Sequence, residues 1–328
     1  MRVQNAAAST TDLRDLAHYL STLGVAGCDV VLLDAASPLQ FEINGRILRW
    51  VGRHVKPGPE QCAGGGGIDI IRAAGTFAAC EKVIVATDDV RYSVEAIGQM
   101  CELLEMHEVV EPQDYLDPLP WWGGVEAGRM LIQRGVEPKP DHGTTFGFRR
   151  GALRALWALG SVSTVEAQSR RLAAVGAEIH AAGDVFVRRE AGPFSDWLSA
   201  RPRRAAEHFT SPFESALFFS ILPLLILLTT LGGLRLAGAC AGTIAFGAVG
   251  MALHGRAGAT AFFPMRACFL APLWVFERSV SVYWALFRAL RPSMDATGDL
   301  AGDSGSPISS GAARTGTEGD STSTRGIH

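Results

Sequence analysis

The stretch KVIVATDDVRY, residues 82–92, decides the fold of this chain. After Lys82 it continues with apolar and small residues and then reaches two adjacent carboxylates, Asp88 and Asp89. A short apolar run that ends at polar residues is typical of a buried strand in a parallel sheet. An amphipathic helix pattern follows at residues 93–106, with Ser93 as its candidate N-cap. The stretch therefore predicts one strand and one helix of an α/β fold.

The same alternation is found on the amino-terminal side of this stretch. Residues 12–24 place leucines on one helical face, and DVVLLDAAS at residues 29–37 predicts a second buried strand that ends in Asp34. A glycine loop and a small-residue helix occupy residues 62–80. Alternating helices and strands predict an α/β fold with a mostly parallel sheet flanked by helices. Ligands bind at the carboxyl ends of the strands in such sheets, where Asp34 lies.

The rest of the first 212 residues has weaker patterns. Residues 111–150 are predicted to be loop-rich, and residues 151–176 to be helical. EIHAAGDVFVRRE at residues 178–190 predicts a hairpin or short strands. Pro202 argues against one unbroken helix over residues 195–209.

The composition is locally apolar. Apolar residues make up 48% of the 328 residues and charged residues 19%, with a net charge of −3. Because no Lys/Arg-rich stripe with interleaved aromatics is present, we expect no nucleic-acid partner. Six scattered cysteines without a CxxC pair suit a reducing compartment better than a disulfide framework.

Two uncharged runs predict membrane spans at residues 216–234 and 236–253, separated by Arg235. Each approaches the roughly 20 residues that a helix needs to cross a bilayer. Residues 259–291 contain Arg266 and are predicted to be interfacial or re-entrant. The alternative is that these runs are core helices of a soluble protein.

This pattern predicts three parts: a catalytic domain at 1–212, a membrane region at 213–292 and a disordered tail at 293–328. Basic residues on both sides of the two spans predict that both flanks are cytoplasmic. We therefore expect the protein at the inner cell membrane, with its catalytic domain facing the cytoplasm.

Carboxylates at the end of a buried strand also suit a divalent metal, because their oxygens hold Mg²⁺ or Mn²⁺ against the phosphates of a substrate. On residue type alone, Asp88 and Asp89 could equally be a helix-capping pair.

The order of several short motifs resembles that of membrane-associated bacterial family 2 glycosyltransferases. These motifs are Asp34 at a strand end, VATDDVRY, EPQDYLDPLPWW, FGFRR, IHAAGDVFVRR and LAPLWVFERSVSVYWALFRAL. The resemblance extends from about residue 12 to residue 292. It implies a catalytic domain of the GT-A type, which is Rossmann-like, followed by membrane-interacting helices.

The resemblance also implies roles for individual residues. Asp34 would contact the nucleoside of a nucleotide-sugar donor. Asp88 and Asp89 would lie at the donor's diphosphate, with Asp89 holding Mg²⁺ or Mn²⁺. Trp121 and Trp122 would line the donor or acceptor pocket.

Arginines and one glutamate complete the implied site. Arg201, Arg203 and Arg204 would lie near the diphosphate, where guanidinium groups are natural partners of phosphate. The alternative for these arginines is a juxtamembrane patch that faces anionic lipid. Glu166 would be the general base that deprotonates the acceptor hydroxyl.

The resemblance as a whole implies a membrane-anchored, inverting glycosyltransferase of hexosyltransferase type. It would transfer a sugar from a nucleotide sugar to a lipid or lipid-linked hydroxyl. Several positions depart from the family pattern: Thr87 replaces the first acid, Ile68 follows the glycine loop without a lysine, and the first strand is missing or degenerate in MRVQNAAAS. These departures motivate an alternative, a catalytically degenerate binding or regulatory module on the same scaffold.

Overall fold

A computed structural model of the chain describes residues 2–3, 10–58, 62–63, 67–68, 70–136, 145–152, 178–207 and 212–290. The chain divides into one compact unit at Met1–Ala285 and a second at Leu286–His328. The first unit contains all the described sheets, and they are flanked by helices, so the predicted α/β class is confirmed.

A three-stranded parallel sheet forms near the amino terminus. Its strands are β1 (Arg2–Val3), β2 (Val31–Asp34) and β3 (Arg53–Val55), in the order β1-β2-β3. The connecting helices are α1 (Thr10–Val25) and α2 (Pro38–Leu48). The sequence analysis predicted that the first strand is missing or degenerate. In the structure this strand is β1, which is present but only two residues long.

A small antiparallel pair and a short helix follow. The pair consists of β4 (Cys62–Ala63) and β5 (Gly67–Ile68), and the helix is α3 (Ile70–Phe77). They precede β6 (Lys82–Ala86), the buried strand that the opening stretch predicts.

The larger sheet has five strands in the order β6-β9-β8-β10-β7. Its other elements are β7 (Val90–Arg91), α4 (Val94–Met106), β8 (Val109–Leu116), α5 (Gly123–Val136), β9 (Thr145–Arg149) and β10 (Ile179–Arg189). Strands β8 and β10 are parallel, and the other neighbouring strands of this sheet are antiparallel. A short 3₁₀ turn, Arg150–Ala152, follows β9.

Two predictions for residues 111–190 were wrong. The region 111–150 is not loop-rich, because β8, α5 and β9 lie in it; β8 is a central strand with Glu111 and Asp114 buried. Burial in the sheet outweighs the turn-forming character of EPQD. The hairpin or short strands predicted at 178–190 are instead the single strand β10, which shifts register between Ala182 and Phe186.

Three helices complete the described chain: α6 (Phe194–Glu207), α7 (Pro212–Arg256) and α8 (Met265–Leu290). The prediction that Pro202 interrupts a helix was wrong, because α6 continues through it. Proline already has a helical φ and removes one backbone donor, a loss that the helix tolerates here. Most of the residues 151–176 that were predicted as helices, and the tail at 293–328, lie outside the described residues.

The two predicted spans both lie in α7, which is interrupted at Gly233 (φ 71°, ψ 179°). A positive φ is readily adopted only by glycine, so the break occurs at this residue and not at Arg235. Over Ser215–Arg256, α7 is long and apolar enough to cross a membrane. Leu231, Leu234 and Phe246 on it are 77%, 81% and 83% exposed.

Helix α5 packs very closely against the two long helices. A Cβ at Gly128 would lie 2.7 Å from Cα of Ala271 on α8. A Cβ at Gly255 on α7 would lie 2.0 Å from the carbonyl oxygen of Leu131. Small residues therefore set the distance between α5 and both long helices.

Candidate functional site

The two acids of the opening stretch form the turn between β6 and β7. The amide of Val90 donates to the carbonyl of Thr87 at 3.2 Å, and the hydroxyl of Thr87 donates to Oδ1 of Asp89. The amide of Glu190 donates to the carbonyl of Asp89 at 2.8 Å. The side chain of Asp89 is 38% exposed, so this carboxylate faces solvent from a turn that is held on both sides.

Asp88 occupies the same turn. Its carbonyl oxygen accepts a hydrogen bond from Nη1 of Arg91, whose Nη2 lies 3.1 Å from Oε2 of Glu190. The guanidinium of Arg91 thus connects the turn to the end of β10.

Arg189 is a site residue that the sequence reasoning missed. Pairing of β7 with β10 sets Arg189 opposite Val90. Its Nη1 lies 2.9 Å from Oδ2 of the buried Asp114, and its Nε lies 3.7 Å from Oδ2 of Asp89. The VRR segment contained this arginine, but only the sheet register distinguishes it from Arg188.

Charge keeps this guanidinium protonated. Burial lowers the pKa of Arg189, but the carboxylates of Asp114, Asp89 and Glu126 outweigh burial and raise it above its ordinary value. The side chain of Arg189 is 13% exposed, so a fixed cation lies beside the exposed carboxylate of Asp89.

A second charged cluster lies where α5, α6 and α8 meet. Glu126 is fully buried and accepts hydrogen bonds from Nε of Arg129 at 2.8 Å, Nη2 of Arg201 at 2.8 Å and Nε1 of Trp197 at 3.3 Å. Three donors on one carboxylate compensate its loss of hydration.

Arg201 is almost completely buried in this cluster. Its guanidinium carbon lies 3.7 Å from the ring centroid of Trp197, and its Nη1 lies 3.4 Å from Oε2 of Glu277. The ring of the buried Trp122 lies 5.4 Å from that of Trp197. The structure thus gathers Trp122 and Arg201 around Trp197, although no sequence signal had singled out Trp197.

The remaining predicted residues lie elsewhere or outside the described part. Trp121 is 78% exposed and lies against Phe194, with 4.9 Å between the ring centroids. Arg203 and Arg204 lie on α6, but the structure describes only their backbone and not their side chains. Glu166 lies outside the described residues altogether.

Asp34 lies at the carboxyl end of β2, as predicted, but it is fully buried. Its Oδ2 lies 2.8 Å from Nδ2 of Asn44 and 3.0 Å from Nε2 of His54, and its Oδ1 accepts from the amide of Ala36 at 2.9 Å. Contact with a nucleoside would require one of these partners to be exchanged, so that role remains a prediction.

The fit of a divalent metal to this site is limited. Within the described ranges, no group of three or more His, Cys, Asp or Glu side chains could hold a metal ion. Asp89 offers an exposed carboxylate, and Mg²⁺ is commonly held by one or two carboxylates together with water and substrate phosphates. Asp89 therefore fits a metal ion that is held jointly by this carboxylate and by the oxygens of a bound diphosphate. The described residues do not form a complete set of metal ligands.

An apolar cavity of about 360 Å³ lies between β2 and β6. Leu33, Val85, Tyr19 and Tyr92 are among the residues that line it. Asp89 and Arg189 are not among the lining residues, so this cavity is separate from the charged site.

No protein-family model matches the chain, and no curated protein matches it either. Solved structures that are similar to it include three glycosyltransferase-related or mycobacterial proteins. Mannosyltransferase PcManGT from Pyrobaculum calidifontis, in complex with GDP-Man and Mn²⁺, has 17% identity and a TM-score of 0.45, with 86% of each chain covered. A mycobacterial protein has 12% identity and a TM-score of 0.41, covering 63% of this chain and 72% of that one.

The third is glucosyl-3-phosphoglycerate synthase from Mycobacterium tuberculosis, in complex with Mn²⁺ and UDP-glucose. It has 14% identity and a TM-score of 0.37, covering 63% of this chain and 84% of that one. All three TM-scores are below 0.5.

Proposed function

We propose that the protein is a glycosyltransferase that uses a nucleotide-sugar donor. The observation that carries this proposal is the exposed carboxylate of Asp89 beside the cationic Arg189, at the end of the strand in VATDDVRY. A sugar diphosphate has strongly anionic oxygens, and a fixed guanidinium is a suitable partner for them. The order of motifs along the chain supports the same activity.

Arg189 would orient the diphosphate of the donor and stabilise the negative charge that develops as it departs. Asp114 holds this guanidinium in place from the buried side of the sheet. A Mg²⁺ or Mn²⁺ ion held by Asp89 and the phosphates would neutralise part of the same charge. The transfer would be a single in-line displacement that inverts the configuration at the anomeric carbon of the sugar. Glu166 is the proposed general base for this step.

The other predicted donor ligands belong to the same proposal. They are Asp34, Asp88, Trp121, Trp122, Arg201, Arg203 and Arg204. Of these, Trp122 and Arg201 lie together around Trp197, and a diphosphate that binds Arg201 would have to displace Glu126 or Glu277 from its buried guanidinium.

We further propose that the acceptor is a lipid or lipid-linked hydroxyl and that α7 anchors the protein in the inner membrane. The length and apolar composition of Ser215–Arg256 and the exposure of its leucines support this anchoring. Basic residues at the flanks of α7 favour a catalytic domain that faces the cytoplasm.

The test is a thermal-shift panel of nucleotide sugars, with and without Mn²⁺, on the full chain in detergent. A ligand at about 100 times its dissociation constant stabilises the native state by about 2.7 kcal/mol. We expect a metal-dependent shift that Asp89→Ala abolishes. Asp29→Ala is the matched control, because Asp29 is a partly exposed acid paired with Arg53 outside the charged site.

The donor that gives the shift is then used in a transfer assay with a lipid acceptor. Sugar transfer by the wild-type protein would exclude the alternative of a catalytically degenerate binding module. A donor-induced shift without any transfer would favour that alternative, which the departure at Thr87 motivates. No shift with any donor on folded protein would contradict the proposed function.

A further inference from the structure

The apolar cavity of about 360 Å³ lies where three separate parts of the hydrophobic core meet. Leu33 belongs to the cluster formed by α3, β6 and β9, and Leu20 belongs to the cluster formed by α1, β2 and α2. Ile97 packs against the third cluster, formed by α4, β8 and β10. All three residues line the cavity. Because buried apolar side chains usually form one continuous core in a domain, the cavity is a gap that the described side chains leave between these clusters.

The two charged residues among the described lining residues, Asp29 and Lys82, are each paired. Oδ2 of Asp29 lies 2.8 Å from Nη2 of Arg53, and Nζ of Lys82 pairs with Glu105. The side chains of Asp29 and Lys82 are 39% and 28% exposed, so both reach solvent. The described wall therefore offers no unpaired charge to a ligand, which disfavours a charged one.

The uncharged polar groups of the wall offer few hydrogen bonds to water. The hydroxyl oxygen of Tyr92 lies 2.7 Å from that of Thr145, and the hydroxyl of Tyr19 accepts from the amide of Tyr92 at 2.8 Å. Burial raises the pKa of the Cys28 thiol, so this wall residue stays neutral at pH 7. Because a buried water needs two to four polar partners, an apolar cavity of about 150 Å³ can stay dry and bind benzene. The same reasoning favours an apolar occupant in this larger cavity.

Tyr19 and Tyr92 connect the cavity to the turn that contains Asp88 and Asp89. Both tyrosines line the cavity, and Tyr92 directly follows β7. The guanidinium carbon of Arg91 lies 5.2 Å from the ring centroid of Tyr19, and Nη1 of Arg91 donates to the carbonyl of Asp88. A molecule that packs against the ring of Tyr19 would therefore restrain the segment from Asp88 to Tyr92.

We propose that this cavity binds one uncharged apolar molecule, which packs against Tyr19 and thereby fixes the turn of Asp88 and Asp89. Such a molecule would restore the apolar contacts between the three clusters and gain both hydrophobic and dispersion free energy. The site is separate from the proposed donor site, because Asp89 and Arg189 are not among its lining residues. The inference goes beyond the proposed function and does not rest on it.

The binding test is a fluorescence titration of the full chain in detergent with two probes that share one aromatic skeleton. N-phenylnaphthylamine is uncharged, whereas anilinonaphthalene sulfonate carries a negative charge. We expect saturable binding of N-phenylnaphthylamine at the cavity. Binding of the sulfonate that is as tight, and as sensitive to the cavity variants below, would overturn the assignment to an uncharged molecule.

Two variants fill the cavity from different walls: Ala74→Leu on α3 and Cys101→Leu on α4. Ala239→Leu is the control, because it adds a leucine at an exposed position of α7 and leaves partitioning of the probe into detergent unchanged. We expect the half-saturating concentration of N-phenylnaphthylamine to rise about tenfold or more in both cavity variants and to stay the same in the control. Unchanged binding in both cavity variants would overturn the proposal.

The melting temperatures of the same variants report on the cavity itself. A leucine that fills a real gap does not destabilise the fold, whereas a leucine forced into a packed core does. We expect Ala74→Leu and Cys101→Leu to melt at or above the temperature of the wild type. A lower melting temperature in both would show that the space is not available to a ligand and would overturn the proposal.

Hydrogen exchange of residues 87–92 tests the connection to the turn. We expect saturating N-phenylnaphthylamine to slow this exchange in the wild type. Tyr19→Phe keeps the ring but removes the hydroxyl that accepts from the amide of Tyr92, so the probe should still bind and should protect the turn less. Exchange that does not respond to the bound probe would overturn the connection. Neither measurement uses a nucleotide sugar, so the outcome is independent of the proposed glycosyltransferase activity.

Discussion

Nε of Arg189 lies 3.7 Å from Oδ2 of Asp89, so the exposed acid of the VATDD turn has a cation at its side. Asp114 holds the same guanidinium through a 2.9 Å contact with Nη1. One guanidinium is shared by two carboxylates here, so Asp89, Asp114 and Arg189 together carry a net negative charge, and part of the charge of Asp89 is available to a metal ion. A diphosphate that arrives together with its metal can interact with both groups at once, which is the arrangement that the proposed function requires.

Replacing Arg189 by glutamine should destabilise the fold and weaken donor binding. The buried Asp114 would lose its partner, and removing one member of a buried pair costs about 3 kcal/mol. We expect a melting temperature several degrees lower, measured by thermal denaturation in detergent.

The control for this change is Arg188→Gln. Arg188 is the preceding residue, its side chain is 43% exposed, and it pairs with Glu190 at 3.1 Å. Exposed pairs of this kind contribute about 0–1 kcal/mol, so we expect little change. Equal losses in both variants would contradict the importance of the Arg189–Asp114 pair.

Glu126→Gln should be more damaging than its conservative shape suggests. The change leaves Arg129 and Arg201 without their buried carboxylate. We expect a loss of about 3 kcal/mol in the free energy of unfolding. Glu105→Gln is the control, because the side chain of Glu105 is 68% exposed and pairs with Lys82 at the surface. If Glu126→Gln has the same melting temperature as the wild type, the buried cluster does not contribute to stability.

Alanine at Gly128 or Gly255 should separate α5 from the long helices. Each added Cβ would lie within 3 Å of backbone atoms, which cannot move as a side-chain tip can. Overpacking of this kind costs about 1–3 kcal/mol.

Gly98→Ala tests whether this loss comes from the packing. Gly98 is inside α4 and has nothing within 4 Å of an added Cβ. Alanine there should stabilise the helix by about 0.5–1 kcal/mol. Thermal denaturation of the alanine variants at Gly128, Gly255 and Gly98 compares tightly packed positions with an open one. Destabilisation by Gly98→Ala would argue against packing as the cause of the loss.

Acidification should destabilise the fold through His180. Its ring is stacked on that of His107, with the ring centroids 4.0 Å apart. The pKa of His180 is lowered below 6.5, mainly by burial and secondly by the charge of His107. As the pH falls through 6.5, the unfolded chain binds a proton before the folded protein does, so the free energy of unfolding decreases.

The decrease continues until the pH reaches the lowered pKa of the folded state. Melting temperatures at pH 7.5 and pH 5.5 measure it. His180→Phe keeps a stacked ring that cannot titrate, so it should reduce the pH dependence. An unchanged pH dependence in His180→Phe would contradict this account.

Local patterns sufficed to predict the elements whose signal lies within a few residues. The apolar run before Asp88 is the strand β6, DVVLLD contains β2, and Ser93 caps α4 by accepting from the amide of Ala96 at 3.1 Å. The apolar run of 216–253 is part of α7. In each case the hydrophobic period or the capping residue is a property of neighbouring residues.

The tertiary structure alone decided which charges meet. Asp114 belongs to a segment whose proline and acids resemble a loop, and burial between β9 and β10 makes it a strand instead. Register, not sequence spacing, brings Arg189 across 75 residues to Asp114. Helix packing likewise brings Glu126 to Arg201. Such contacts depend on the summed packing of distant elements. The sequence by itself therefore determined the elements with a strong local pattern, such as β2, β6 and α4, and the tertiary structure determined the charged site.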